Sequence, residues 1–111
     1  MIGAGTGIAP FRSFWQERKI DREMGQDPLG VNGKGWGKMS LYFGCRNKNI
    51  DELYRREIDQ FMKENVINTY HGAYSRETHI KKTYVQDLLL KNIRDVCDDI
   101  MRKKGHFYIC G

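Results

Sequence analysis

A glycine-rich turn that runs straight into an amphipathic helix sets the tightest limit on how this chain folds. In Gly3-Ala4-Gly5-Thr6-Gly7-Ile8-Ala9-Pro10 the glycines admit backbone conformations that other residues resist, and Pro10 suits a first helical turn. Phe11, Phe14 and Trp15 then recur at i, i+3 and i+4, which predicts a helix over about Pro10 to Arg22 with one apolar face. Gly25 to Lys38, rich in glycine and poor in apolar residues, reads as a surface loop. Leu41-Tyr42-Phe43 before Gly44 has the character of a buried strand. Asn49 and Glu52 resemble a capping box at the start of a helix whose Tyr54, Ile58, Phe61 and Met62 share one face. Val66 to Tyr74 reads as the next strand. Thr83 and Gln86 offer a second capping box ahead of the stripe Val85, Leu88, Leu89, Ile93, Val96 and Ile100, with a break near Asn92 and a stop at Gly105. Phe107 to Cys110 reads as a last strand.

Strands thus alternate with helices and hairpin signals are lacking, the order of an α/β chain with a parallel sheet and helices on both faces. In such sheets ligands sit beyond the carboxyl ends of the strands, near the point where strand order reverses. Gly3 to Thr6, Cys45-Arg46, Ser75-Arg76 and Cys110-Gly111 all fall at those ends. The chain opens on Met1-Ile2 with almost no strand before its first turn and stops on Cys110-Gly111, so it reads as truncated at both ends.

A hydrophobic content of 40% over 111 residues suffices for one core and not two. No apolar stretch approaches the length of a membrane span, and the first ten residues lack the pattern of a signal peptide, so a soluble cytoplasmic chain is expected. Cys45, Cys97 and Cys110 are odd in number and widely spaced, as free thiols are. His71, His79 and His106 share no ligand spacing, and no metal site is expected. The net charge of +5 suits an acidic ligand without saying which.

Among residues able to carry chemistry, Gly5, Thr6 and Gly7 sit where backbone N–H groups and a helix dipole would meet a pyrophosphate. Ile8 stands where the usual dinucleotide fingerprint has its third glycine, and an ordinary strand-to-helix turn is the plain alternative. Ser75 and Arg76, followed by Lys82 and Tyr84, gather a hydroxyl, a guanidinium, an ammonium and an aromatic ring around one point, a set able to hold a phosphate and stack on a purine. A solvated basic loop before a helix cap is the plain alternative here. Arg46 could meet phosphate at its own strand end. Cys110 could touch a nicotinamide ring, although a buried structural cysteine is the commoner outcome. Cys45 reads as structural.

Taken in order, Gly3 to Arg12, Phe43-Gly44-Cys45-Arg46, Ala73-Tyr74-Ser75-Arg76-Glu77, Tyr84-Val85-Gln86 and Tyr108-Ile109-Cys110-Gly111 resemble the NADPH-binding domain of the diflavin reductases, whose fold is Rossmann-like and of the ferredoxin-NADP reductase type. Within that group Phe11 to Gln16, Ile50 to Arg55 and the eight-residue step from Arg76 to Tyr84 look most like the nitric oxide synthases, and the Gly25 to Lys38 loop suits an invertebrate type. The resemblance implies that residues 1–111 are part of an NADP-binding domain. It implies that Gly5, Thr6 and Gly7 contact the pyrophosphate and nicotinamide side, with Arg46 on phosphate. It places Ser75, Arg76, Lys82 and Tyr84, with Gln86 assisting, on the adenosine 2′-phosphate and adenine, and Cys110 beside the nicotinamide as hydride passes to the FAD domain of the same chain. It implies a parent that also uses FMN, haem and tetrahydrobiopterin to oxidise L-arginine to citrulline and nitric oxide, as a calmodulin-regulated homodimer; the isolated stretch is expected to be inactive.

Two alternatives remain at this point. Another diflavin reductase, such as an NADPH-cytochrome reductase, would share the hydride step and differ in its acceptor. A basic module binding nucleotide or nucleic acid without redox chemistry would explain the charge, although the basic residues are interleaved with acidic ones and no recognition motif appears, so no nucleic-acid partner is expected.

Overall fold

A computed structural model describes residues 1–25 and 37–111. The glycine-rich loop expected over Gly25 to Lys38 falls, apart from its ends, outside them. The first strand, β1, is Ile2–Ala4, and it passes through a single 3-10 turn, Gly5–Ile8, into helix α1, Ala9–Glu23. Strand β2 is Ser40–Cys45, helix α2 is Arg55–Lys63 and strand β3 is Thr69–Tyr74. Two short helices, α3 at Val85–Lys91 and α4 at Ile93–Cys97, lead through a π turn, Asp98–Arg102, to strand β4 at Ile109–Cys110.

All pairings are parallel and the strand order is β3-β2-β1-β4. The chain moves outward from β1 through β2 to β3 and then returns to the far side of β1, so the reversal of order lies between β1 and β4. Although the sequence leaves little room for a strand ahead of the glycine turn, Ile2 and Gly3 pair on both sides, Ile2 with Tyr42 of β2 and Ile109 of β4, and Ala4 pairs with Gly44 of β2. The Ile2 N–H donates to the Tyr108 carbonyl at 2.8 Å, and the Met1 carbonyl accepts from Tyr42 N–H at 2.9 Å.

Alternation along β2 separates the two faces. Leu41 and Phe43 point into a core closed by Ile8, Phe11 and Trp15 from the turn and α1, by Ile58 and Phe61 from α2, and by Val66 and Ile67. The helical face expected from Phe11, Phe14 and Trp15 is the face that packs, with Phe14 edge-on to Tyr108 at 5.1 Å. One carboxylate ties α2 to α1: Glu57 accepts from Trp15 Nε1 at 2.8 Å, from Gln16 at 3.1 Å and from Arg12 Nε at 3.0 Å. The opposite face of the sheet carries Tyr42, with His71 stacked on it at 4.4 Å, and is covered by α3 and α4. That cover is looser. None of the stripe from Val85 to Ile100 is fully buried, and a cavity of about 710 Å³ separates Ile2, Tyr42 and His71 from Leu89, Val96 and Ile100.

Both capping boxes differ from expectation. Helix α2 begins at Arg55, not near Asn49, and its N-cap Tyr54 is left-handed at φ 58° with no side-chain cap. Residues 47–51 close a turn of their own through Asp51 N–H to Asn47 O at 3.0 Å and Asn47 N–H to Asp51 Oδ2 at 3.1 Å. Glu52, expected to reach back to the backbone, turns inward instead. At α3 the box is shifted by one residue: Tyr84 N–H donates to Asp87 Oδ2 at 2.8 Å, while Thr83 Oγ1 bonds the Lys81 carbonyl at 2.8 Å and Gln86 is left exposed. Strand β3 starts at Thr69, because the left-handed Asn65, at φ 58°, turns the chain after α2 and sends Val66 and Ile67 into the core before pairing begins. The break at Asn92 is present; its Nδ2 donates back to Leu88 O at 2.8 Å. At the other end, Lys104 takes the left-handed position, φ 54°, that glycine usually fills, and Gly105 N–H then donates to Asp99 O at 2.7 Å.

Two positions on α1 test which face holds the fold. Trp15 is fully buried, and Trp15→Ala should cost about 3 to 5 kcal/mol from lost burial and an unfilled cavity. Ile20, 53% exposed, should change stability by no more than about 0.5 kcal/mol when replaced by Ala. Equilibrium unfolding in urea of the two variants reads the difference; equal losses would mean that α1 packs through another face.

Candidate functional site at the carboxyl edge of the sheet

The carboxyl ends of the four strands form one edge, and two groups of residues gather on it. At the reversal point the 3-10 turn lies directly against the end of β4. A Cβ on Gly7 would stand 2.2 Å from the Cys110 carbonyl oxygen and 2.6 Å from Gly111 Cα, so no other residue fits without moving backbone. Gly5 has a different requirement: its φ of +56° is left-handed, while the space beside it is open, with nothing within 4 Å of a Cβ. Thr6 between them is exposed. No side chain caps the first N–H groups of this turn, which leaves them to an outside acceptor such as an anion. Cys110 is half-buried, packed against the margin of the core under the turn. A smaller cavity of about 330 Å³ opens beside it, between α3 and β4, lined by Ala4, Val85, Gln86, Ile109, Cys110 and Gly111. Gln86 therefore faces the β4 end of the edge as well as following Tyr84.

The second group lies at the ends of β2 and β3. Ser75 N–H donates to the Cys45 carbonyl at 3.1 Å and Arg76 N–H to the Arg46 carbonyl at 2.9 Å, so the two strand ends continue side by side beyond the sheet. Both arginine side chains are exposed. Residues 75–82 then form a loop that returns to where it began, with Thr83 N–H on the Tyr74 carbonyl at 3.1 Å. This closure brings Lys82 and Tyr84 back to Ser75 and Arg76. Lys82 Nζ lies 5.4 Å from the centre of the Tyr84 ring, and that ring is 44% exposed. Arg46, Ser75, Arg76, Lys82 and Tyr84 are thus brought to one end of the edge and Gly5, Thr6, Gly7 and Cys110 to the other, with Gln86 on the helix between. From Ser75 at the end of β3 to Cys110 at the end of β4 is three strand steps, about 14 Å at the usual inter-strand distance, with Arg46 and the glycine turn at the two strands between. Chemically, one end offers cations and an aromatic face, and the other offers bare backbone and a thiol.

Sequence reading missed the residues that brace this edge from below. Glu52, whose side chain is 2% exposed, accepts hydrogen bonds through Oε1 from the hydroxyls of Tyr70 at 2.5 Å and Tyr74 at 2.7 Å and from Arg55 at 3.1 Å. Burial, and then the bond to this carboxylate, holds both tyrosines protonated, well above the usual phenol range. Burial likewise pushes the Cys45 thiol up to about 11, with Glu52, Asp51 and Glu77 adding to it; a thiol so protonated is a poor nucleophile, in keeping with a structural role. The signal available was the spacing of Tyr70 and Tyr74, which an even step places on one face of a strand. Among the described residues no group of three or more His, Cys, Asp or Glu side chains converges as a metal site would, and no helix is long and apolar enough to cross a membrane.

Comparison with known proteins places this architecture. Over residues 1–111 the chain matches the family described as the oxidoreductase NAD-binding domain. It is 48% identical to the nitric oxide synthase of Anopheles stephensi and 42% identical to the inducible nitric oxide synthase of Gallus gallus. Both alignments take in the whole of this chain and only 8% and 9% of those proteins. Among solved structures it is similar to a ferredoxin-NADP+ reductase mutant from Plasmodium falciparum, crystallised with 2′P-AMP, at a TM-score of 0.74 and 28% identity; the match covers all of this chain and 40% of that one. The chain belongs to the oxidoreductase NAD-binding domain family, and its four-stranded parallel sheet is the sheet of a ferredoxin-NADP reductase-type nucleotide-binding domain.

Proposed function

We propose that this chain is the NADPH-binding part of a nitric oxide synthase, delivering reducing equivalents from NADPH to an FAD held by another part of the same protein. The observation that carries the reading is the order of groups along the edge: a cationic, aromatic cluster at β3, bare glycine backbone at β1 and Cys110-Gly111 at β4, which is the order of adenosine phosphate, pyrophosphate and nicotinamide in an extended dinucleotide. The residues fit the cofactor. Gly5 keeps a side chain out of the open space a pyrophosphate would enter, Gly7 lets the turn lie against the end of β4, and the N–H groups there have no side-chain cap. The reductase solved with 2′P-AMP, an adenosine carrying a 2′-phosphate, shares this fold, and it supports placing that phosphate at Ser75, Arg76 and Lys82.

Bound along this edge, NADPH supplies the hydride; the chain's own residues hold it and set its position. Arg76 would hold the 2′-phosphate through paired hydrogen bonds and offer its guanidinium plane to the adenine, with Lys82 adding charge and Tyr84 an aromatic face beside it. Arg46 meets phosphate between the two ends, and Gln86 contributes an amide from the first turn of α3. Cys110 positions the nicotinamide and excludes water from it without forming a bond. In the full-length synthase, FAD, FMN, haem and tetrahydrobiopterin, held by other parts of the protein, would supply the remaining redox chemistry, the oxidation of L-arginine to citrulline and nitric oxide. The cytoplasmic, calmodulin-regulated homodimer that such a synthase forms belongs to the same proposal, supported by the identity of 41 to 48% to synthases along the whole chain.

Two substitutions in the full-length protein test opposite ends of the edge. Hydrogen bonds to charged groups contribute about 1.5 to 3 kcal/mol, so Arg76→Ala should lower the NADPH over NADH ratio of kcat/KM about tenfold to a hundredfold. An unchanged ratio would reduce the basic cluster to a solvated loop. Cys110→Ser should slow flavin reduction in stopped flow while NADP+ affinity stays within about twofold, because the thiol lies about three strand steps from the phosphate grip. Reduction at the wild-type rate would return Cys110 to the core margin, where it packs as a structural residue.

A further inference from the structure

We propose that Glu52 is a positioning residue for cofactor choice: through Tyr74 it fixes the loop that grips the 2′-phosphate, and so sets the preference for NADPH over NADH. This rests on the reading of Ser75, Arg76 and Lys82 as that grip. Tyr74 is the post to which the loop is tied at both ends. Ser75 continues from it directly, and the Tyr74 carbonyl accepts the Thr83 N–H that closes residues 75–82. The hydroxyl of the same residue is held by Glu52 at 2.7 Å. Whatever fixes the Tyr74 ring therefore fixes where Arg76 and Lys82 start and end.

The clamp is built for that purpose by residues from three places. Tyr70 and Tyr74 lie on one face of β3, and Gly72 between them leaves room for the rings: a Cβ there would stand 2.4 Å from the Tyr74 hydroxyl oxygen and 2.9 Å from its Cζ. Glu52 comes from the stretch between β2 and α2, the stretch that also carries Arg46, so the clamp joins the β2 end to the β3 end below the backbone bonds that join them above. Arg55, from the first turn of α2, balances the carboxylate and covers the Tyr70 ring at 4.7 Å. With its side chain 2% exposed and its Oε1 shared by three donors, Glu52 has one conformation open to it. Glu52, with its carboxylate buried, acts on the grip only through Tyr74, as a support for it and not as part of it.

The test is steady-state kinetics of the full-length protein with NADPH and with NADH, for wild type and five variants. Tyr74→Phe removes one hydroxyl and keeps the ring; it should lower the NADPH over NADH ratio of kcat/KM about fivefold, chiefly through KM for NADPH. Glu52→Leu should lower it about tenfold. Glu52→Gln keeps an acceptor oxygen for both hydroxyls and should stay within about twofold of wild type. In an Arg76→Ala background, Tyr74→Phe should have a clearly smaller further effect on the ratio, because the strongest of the groups it positions is gone and only Ser75 and Lys82 remain; a merely structural role would lower both efficiencies together and leave the ratio alone. An unchanged ratio in Tyr74→Phe, or a full additional loss in the double variant, overturns the clamp. If Glu52→Leu fails to fold, Tyr74→Phe and the double variant decide alone. A wild type that prefers NADPH and loses the preference in Arg76→Ala but not in Tyr74→Phe sinks this inference only, whereas a wild type without preference sinks the reading of the grip as well.

Discussion

The contact between Gly7 and the end of β4 is the constraint on which the rest of this molecule hangs. Backbone meets backbone there with no room for a methyl group, and that closeness does two things at once. It lets α1 start directly above the sheet, so that Phe11 and Trp15 reach Leu41 and Phe43 and the core closes on that side. It also brings the glycine turn beside Cys110, so the bare-backbone end and the thiol end of the edge are neighbours. Any side chain at residue 7 would part the two strands that define the reversal of order, and packing and ligand geometry would be lost together.

The two faces of the sheet are held in different ways. On the α1 and α2 side a continuous apolar cluster is reinforced by one carboxylate, Glu57, that Trp15, Gln16 and Arg12 all address. On the other side α3 leans on β2 and β3 through half-buried residues, with Val85 set against Gly44, α4 following on from α3, and a cavity beyond. Close packing resists displacement far more than partial cover does. The firm face thus carries the turn and α1, while the looser one carries Tyr84 and Gln86, which are left free to shift.

Much of this was legible in the sequence because it rests on periodicity and on glycine. Phe11, Phe14 and Trp15 announced the buried face of α1, the apolar run at Leu41 announced an interior strand, and the coincidence of Gly5, Arg46, Ser75 and Cys110 with strand ends announced the edge. What escaped was anything decided by competition for a hydrogen bond. Asn49 and Glu52 have the spacing of a capping box, but two tyrosine hydroxyls and a guanidinium offer Glu52 a buried site that a lone backbone N–H does not match. Thr83 lost its capping place to Tyr84 and Asp87 in the same manner. The loose fit of Val85 to Ile100 was also out of reach, since a 3.6-residue stripe tells which way a helix faces and not how deeply it sinks.

The strand order has an evolutionary corollary. Strand β3 is the outer strand on its side of the sheet, and the residues beyond it form a loop anchored at one post, Tyr74. Changes in that loop touch neither the glycine turn nor the buried cluster, whereas changes at the β1 and β4 ends touch both. On the cofactor arrangement proposed above, a chain built this way is free to exchange one adenosine-side preference for another by small steps in a peripheral segment, while the geometry at the β1 and β4 ends stays frozen by the packing of its own backbone. Cofactor choice and redox chemistry would then be separately heritable traits of a single sheet.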